Sequence, residues 1–293
     1  MEIAFALGAA ALFAVASVLQ QRAASEAPGK ESLRLSLMWH LARRPMWLLG
    51  YVFDWGAFGL QALALGAGSL LVVQPLLATG LLFSLPIAAK WSGRRLDSHD
   101  WIAAIALCAG LAGFLLIGNP TGGRNRAPVV DWAVAGGIVA AIGAVLVAAA
   151  LRRQGAARAT LLALATGIAY GLTAGLTKTS VDLLGSGIGT FLTHWEPYGL
   201  TLLASGGLWL NQAAFQAGEL KASLPALDVG EQIVAATIGV TVLKEHIRAH
   251  GALDWLLIVV ALAAMVYGVV VLAMRAAETA EPTLPGVPVK PLP

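Results

Sequence analysis

Three carboxylates and a handful of amides in this 293-residue chain sit where polar groups are costly. Asp54, Asp228 and Glu231 each fall inside an apolar stretch, as do Gln61, Gln74, Asn211, Gln212 and Gln216. At a helical rise of 1.5 Å per residue, Asp54 lies roughly 13 Å, Asp228 roughly 12 Å and Glu231 roughly 16 Å from the same end of their stretches. Asn211 and Gln212 fall roughly 10 Å from that end. Asp228 and Glu231 are three residues apart and so share a helix face. An ionised carboxylate at the centre of a bilayer costs roughly 2.5–3.5 kcal/mol on insertion scales. Three of them at one depth predict a site that meets water, protons or cations. The alternative is that the acids are protonated, or bonded to Asn211, Gln212 and Gln216, with Asp54 packed beside Trp55.

No Lys, Arg or His falls at that depth; Lys178 lies near the far end of its stretch. The interior therefore reads as net negative, matched to a cationic substrate, a coupling cation or protons. Mg²⁺ keeps several waters and takes one or two carboxylates, so Asp54, Asp228 and Glu231 are also candidate metal ligands. Pro75 and Pro225 each free a carbonyl four residues back, which faces a cavity or only kinks the helix. They are the candidate hinges. Gln61 and Gln74 supply further ligand oxygens or interhelical hydrogen bonds. Enzymatic hydrolysis would need a His beside a Ser, or a metal cluster. His40, His99, His194, His246 and His250 all fall in loops or at the ends of apolar stretches, with no HExxH among them. The chain is therefore read as a non-enzyme with no cofactor.

The elements that must position these groups follow from composition. Hydrophobic residues make up 58% of the chain and charged residues 12%, about half the charged share of a soluble domain. Too few polar side chains exist to coat a water-soluble core, and the apolar stretches run to the length needed to cross roughly 30 Å of hydrocarbon. Nine spans are expected, at about 3–22, 45–66, 69–90, 101–118, 129–150, 159–181, 197–218, 220–243 and 253–274. Met1–Glu2 supplies no basic segment for a signal peptide, so the first stretch is read as a retained span. Of 19 Lys and Arg, Arg124, Arg126, Lys178, Lys244 and Arg248 fall on one side and the other fourteen opposite. The positive-inside rule makes the richer side cytoplasmic, with the N-terminus outside and the C-terminus inside a plasma or inner membrane. No basic run is interleaved with aromatics, so nucleic acid is not an expected partner.

The chain also repeats itself. A shift of 154 residues places Ser69-Leu70 on Ser223-Leu224, Lys90 on Lys244, Arg94 on Arg248 and Asp100-Trp101 on Asp254-Trp255. A shift of 157 lays Leu7, Phe13 and Leu19 on Leu164, Tyr170 and Leu176. Five spans precede the second copy, so the copies have opposite orientation, a pattern of transporters whose site lies at the repeat junction. The resulting division is 1–118 for the first repeat, 119–158 for a linking span and loops, 159–275 for the second repeat and 276–293 for a Pro-rich disordered tail. Gly167, Gly171 and Gly175 form a GxxxGxxxG face that is read as close helix packing. Residues 31–44 are read as an interfacial helix or a basic loop. The lone Cys108 is read as a buried, inert thiol. A homodimer is left open.

On these features the chain resembles the drug/metabolite transporter superfamily, whose EamA-type members pair two inverted helical repeats. The residues carrying the resemblance are Gln74-Pro75 in the third span and Lys244-Glu245 closing the eighth, over about residues 3–275. Within the superfamily the nine-span layout is similar to the NIPA-type magnesium transporters, through Asp54 in the second span and the Lys-Glu pair. The first repeat departs from the pattern, with Lys90-Trp91 where Lys-Glu would stand, and Asp228 and Glu231 do not match the NIPA pattern. The resemblance implies alternating access with Mg²⁺ or a small cationic metabolite as cargo. A proton-coupled exporter, with Trp55 and Trp209 lining an aromatic cavity, is the alternative, and a lipid-linked sugar flippase a second. A non-transporting scaffold would have no use for the buried acids.

Overall fold

The computed structural model describes residues 1–25, 44–92, 95–217 and 220–280. The interfacial segment expected at 31–44 lies outside them apart from Arg44, as does most of the Pro-rich tail. Eleven helices run along the described chain: α1 (Glu2–Ser25), α2 (Pro45–Ala67), α3 (Leu70–Leu77), α4 (Gly80–Ser92), α5 (Ser98–Gly118), α6 (Val129–Leu151), α7 (Gly155–Gly185), α8 (Ile188–Thr193), α9 (Glu196–Ala217), α10 (Leu220–Thr241) and α11 (Ala252–Ala280). Seven stretches among the described residues are long and apolar enough to cross a membrane: α1, α2, Leu70–Ile87, α5, α6, α7 and α11. The protein is a multi-pass membrane protein. Helices α9 and α10 match the expected seventh and eighth spans in length but are less apolar. They are the two that carry Asn211, Gln212, Gln216, Asp228 and Glu231.

The third expected span is broken in two. Pro75 has no N–H to return to the carbonyl of Leu71, and α3 ends two residues later. The Thr79 and Leu81 amides bond to the carbonyls of Leu76 and Ala78, and the Thr79 hydroxyl also donates to Leu76 O at 2.6 Å. The chain passes this point close to α1, where a Cβ on Gly80 would stand 3.1 Å from the Ala10 carbonyl oxygen. By contrast, α10 runs unbroken through Pro225.

Two helices organise the packing. Helix α1 packs against α2, α3 and α4, while α7 packs against α9 and α10, and α5 pairs with α11. Gly8 faces Leu60 and Gly56 faces Leu12, so α1 and α2 are antiparallel; Gly199 faces Leu176 and Gly207 faces Tyr170, so α9 and α7 are antiparallel too. Helices α7 and α10 run parallel, with Gly167 at Leu227, Gly171 at Val234 and Gly175 at Ile238. The GxxxGxxxG face is thus the α7–α10 contact. A Cβ on Gly171 would lie 2.6 Å from the Val234 Cβ and 2.8 Å from the Glu231 carbonyl oxygen. Overpacking of this kind costs about 1–3 kcal/mol. Gly171→Ala should lower the thermal midpoint of the purified protein. Gly136→Ala, with no heavy atom within 4 Å of the added Cβ, should not.

Cys108 faces outward from α5, contrary to the expected buried thiol. Helix α5 uses its other side against α11, and an outward thiol in an apolar span meets lipid. At its start, α5 is closed by a capping box in which Asp97 accepts from the His99 and Asp100 amides and Asp100 accepts from the Asp97 amide. Arg275 of α11 reaches Asp97 at 3.5 Å and Asp100 at 3.7 Å. The Asp100 amide holds the Asp97 carboxyl below its usual range, against an opposing effect of desolvation and with help from the Arg275 guanidinium and His99. A depressed carboxylate stabilises the fold above its unfolded pKa and loses that contribution as pH falls through its folded value. Asp97→Ala should therefore melt earlier than the parent at pH 7. The gap should persist down to about pH 4 and close below it, as followed by thermal unfolding at stepped pH.

Candidate functional site

Contacts along α7 set the level of each polar group. Helix α2 meets α7 with Gly66 against Val181, and Asp54 interacts with Tyr170 further back along both, so the two run parallel. Asp54 lies 12 residues before Gly66 (66 − 54) and Tyr170 lies 11 before Val181 (181 − 170), which sets them at one level. On α10, Glu231 meets α7 between Gly167 and Gly171, and on α9, Gly207 meets the Tyr170 ring. Asp54, Tyr170 and Glu231 thus come from three helices to one layer. Tyr170 feels the charge of Glu231, then of Asp54 and Tyr51, and Glu231 in turn feels Asp228. Asp54, Asp228 and Glu231 are all half-buried. Asn211 follows one turn beyond Gly207, with its Oδ1 buried and unpartnered among the described residues. The side chains of Gln212 and Gln216 lie outside the described set.

The three acids share a neighbourhood without forming a chelate. Among the described residues no three His, Cys, Asp or Glu side chains stand close enough to hold a metal ion. The expected three-carboxylate metal set of Asp54, Asp228 and Glu231 is not assembled, because Asp54 arrives on α2, across α7 from α10. Trp55 and Trp209 are 72% and 71% exposed. They stand on outward faces of α2 and α9 and wall no enclosed cavity, because the residue next to an inward one on a helix points about 100° away.

An amide layer lies between the acids and the loops at the Glu2 end of the bundle. Gln61 of α2 and Gln74 of α3 are both buried, Gln74 to 1% exposure. Neither amide atom of Gln74 has a hydrogen-bond partner among the described residues. A buried polar group without a partner costs about 1–3 kcal/mol, so an amide left in this state marks a place for water or ligand. It lies one turn before the break at Ala78 and beside Pro75.

Sequence reasoning missed the group that closes this end. Lys178 and Glu245, 4% and 2% exposed, form an ion pair of 2.8 Å between α7 and the loop after α10. Lys178 Nζ also donates to Gly68 O at 2.8 Å. Glu245 accepts from the Leu70 and Leu71 amides at 2.8 and 3.0 Å, filling two of the orphan donors at the start of α3. A carboxylate suits that place because the helix N-terminus carries partial positive charge. Around this pair the Glu2 face is stitched together. Thr121 and His246 exchange two backbone bonds, Arg248 N donates to Gly118 O, and Arg124 N donates to Leu243 O. Arg124 also pairs with Asp131, and Arg126 with Asp182 at 2.5 Å. The available signal was Lys178 itself: a lysine in an apolar helix must find an acid, and Glu245 closes a neighbouring span.

Similarity to known proteins fits this whole-chain architecture. An uncharacterized protein of Corynebacterium glutamicum (strain ATCC 13032) is 34% identical over 282 residues, covering 95% of this chain and 96% of its own length. The chain belongs to the family of that protein. The similarity therefore runs over nearly the whole length of both chains. No family model and no solved structure matches the chain.

Proposed function

We propose that the protein is a secondary carrier of a small cation, working by alternating access between two inverted repeats. One observation carries the reading: Asp54 of α2 and Glu231 of α10 come to the neighbourhood of Tyr170, with Asp228 beside Glu231 and no Lys, Arg or His among the described residues at their level. Such a group costs too much in a bilayer unless protons or cations meet it. The packing supports the repeat, since α1 holds α2 and α3–α4 as α7 holds α9 and α10. Counting α9 and α10 as spans gives nine, and the basic residues then put the Glu2 face outside a plasma or inner membrane and the C-terminus in the cytoplasm. This is the layout of the drug/metabolite transporter superfamily. The carrier needs no cofactor and is not an enzyme.

The Lys178–Glu245 pair is the outer gate in this scheme. It joins the second repeat to the first turn of α3 and must part for the acids to face outward. Two cargoes are compatible with the acidic site, Mg²⁺ held through its waters by one or two carboxylates and a small organic cation, and the organic cation is the one put forward because the acids are spread over α2 and α10. Titrating the purified protein with organic cations, Mg²⁺ and prenyl phosphates, read by thermal shift, should give stabilisation by an organic cation. Vesicle uptake under imposed proton and Mg²⁺ gradients should then follow that same ligand. Stabilisation by Mg²⁺ alone, with Mg²⁺-driven uptake, would replace the organic cation with the metal. Stabilisation by prenyl phosphates alone would overturn the carrier of cations.

A further inference from the structure

A cavity of about 370 Å³ opens at the Glu2 face, between the first turn of α1, the α2–α3 turn, the α5–α6 loop and α7. Its polar lining includes Glu2, Ser69, Asn125 and Lys178. Two of these groups are more than nine-tenths buried and still have hydrogen-bonding capacity. Lys178 carries three ammonium donors, of which two are committed, to Gly68 O and Glu245 Oε1. Ser69, 7% exposed, stands at the N-cap of α3 but makes no capping bond. Glu245 has taken the amides of the first turn, and the Ser69 hydroxyl is left buried without a partner among the described residues.

A charge of opposite sign to Lys178 lies across one residue from these donors. A Cβ on Gly68 would come within 1.9 Å of Glu2 Oε2, so the Glu2 carboxylate rests on the glycine whose carbonyl holds Lys178. Donors and an acid therefore flank Gly68 at the wall of one cavity. A lone anion placed here meets Glu2, and a lone cation meets Lys178. A molecule carrying both charges satisfies both.

We propose that this cavity binds a small zwitterion, with its oxyanion on Lys178 Nζ and the Ser69 hydroxyl and its ammonium on Glu2. The volume is at the small end of ligand sites and suits a molecule of few heavy atoms. The site does not depend on the acidic layer, and its test is equilibrium binding and not transport. Two sources share the chemistry: a free amino acid, and the ethanolamine headgroup of a lipid.

The full-length protein in phosphatidylglycerol nanodiscs is titrated with glycine, methylamine or acetate at matched ionic strength, with the thermal midpoint as readout. Glycine should raise the midpoint saturably, and neither half-molecule should do so at the same concentration. Ser69→Ala and Glu2→Gln, both off the Lys178–Glu245 pair, should each weaken glycine binding about tenfold, the loss expected for one charge-assisted hydrogen bond. Glu231→Gln should leave it intact even where transport is gone. In phosphatidylethanolamine discs, weaker apparent glycine binding identifies the headgroup as occupant, and unchanged binding identifies the free solute. Methylamine or acetate saturating as glycine does, no shift with any probe, or glycine binding indifferent to both variants would each overturn the proposal.

Discussion

Vesicles reconstituted with Glu231→Gln should show uptake no higher than empty vesicles. The substitution keeps size and hydrogen-bonding capacity but removes the charge on the helix that lies backbone-to-backbone against α7. Desolvated carboxylates in a membrane are retained for the cations or protons they handle, so removing this charge removes the reason for cargo to bind. Asp54→Asn should lower uptake as well, because Asp54 reaches the same Tyr170 from α2. Tyr170→Phe should retain uptake with changed apparent affinity, since it removes a hydroxyl and no charge. The control is folding: the Gln variant should elute and melt as the parent does, because a neutral amide at a half-buried site is cheaper to hold than a carboxylate. A well-folded Glu231→Gln protein with unchanged uptake would remove the acidic layer from the mechanism.

Breaking the Lys178–Glu245 pair should have the largest effect on stability. Both side chains are buried, and removing one partner from a buried pair costs about 3–5 kcal/mol, because the survivor keeps its charge without compensation. Glu245→Gln also weakens the cap on α3, where Leu70 and Leu71 now donate to a carboxylate. Lys178→Met should cost a similar amount. Combining Lys178→Met with Glu245→Gln should recover a good part of the loss, since no unpaired charge remains. Urea or thermal unfolding of the four proteins gives the coupling energy directly. Additive single effects would mean that the two residues act separately and that the pair does not tie α7 to the loop after α10 and the start of α3. In the carrier scheme the double variant carries a second prediction: a folded protein whose outer face opens more readily, read as faster labelling of Gln74→Cys, a position buried in this structure, in a Cys108→Ala background.

Sequence patterning made the helices legible. Eight of the nine expected stretches each correspond to one helix, from Pro45 opening α2 to the Asp97–Asp100 cap opening α5, while the third is split into α3 and α4 and α11 runs on to Ala280. Apolar length and end chemistry are local properties, and a bilayer allows little else than a helix for a stretch of that length. The candidate acids were legible for the same reason, because a carboxylate within an apolar run is conspicuous. The glycine face of α7 was legible as a packing surface, but its partner was not. Only the folded chain shows α10 there, with Glu231 O at the closest approach.

Residue type and spacing by themselves determined that this is a multi-pass helical membrane protein with unusual polar groups at a few depths. Tertiary structure decided which of those groups meet. It set Asp54 level with Glu231 across Tyr170, left the Gln74 side-chain amide without a partner among the described residues beside a helix break, and turned Trp55, Trp209 and Cys108 outward. It also joined Lys178 to Glu245 across 67 residues of chain. The physical reason is one of range. Hydropathy and capping act within a turn or two of a helix, whereas ion pairing and the choice of a partner for a buried donor depend on the azimuth of each helix. That azimuth is set by packing between helices far apart in the chain.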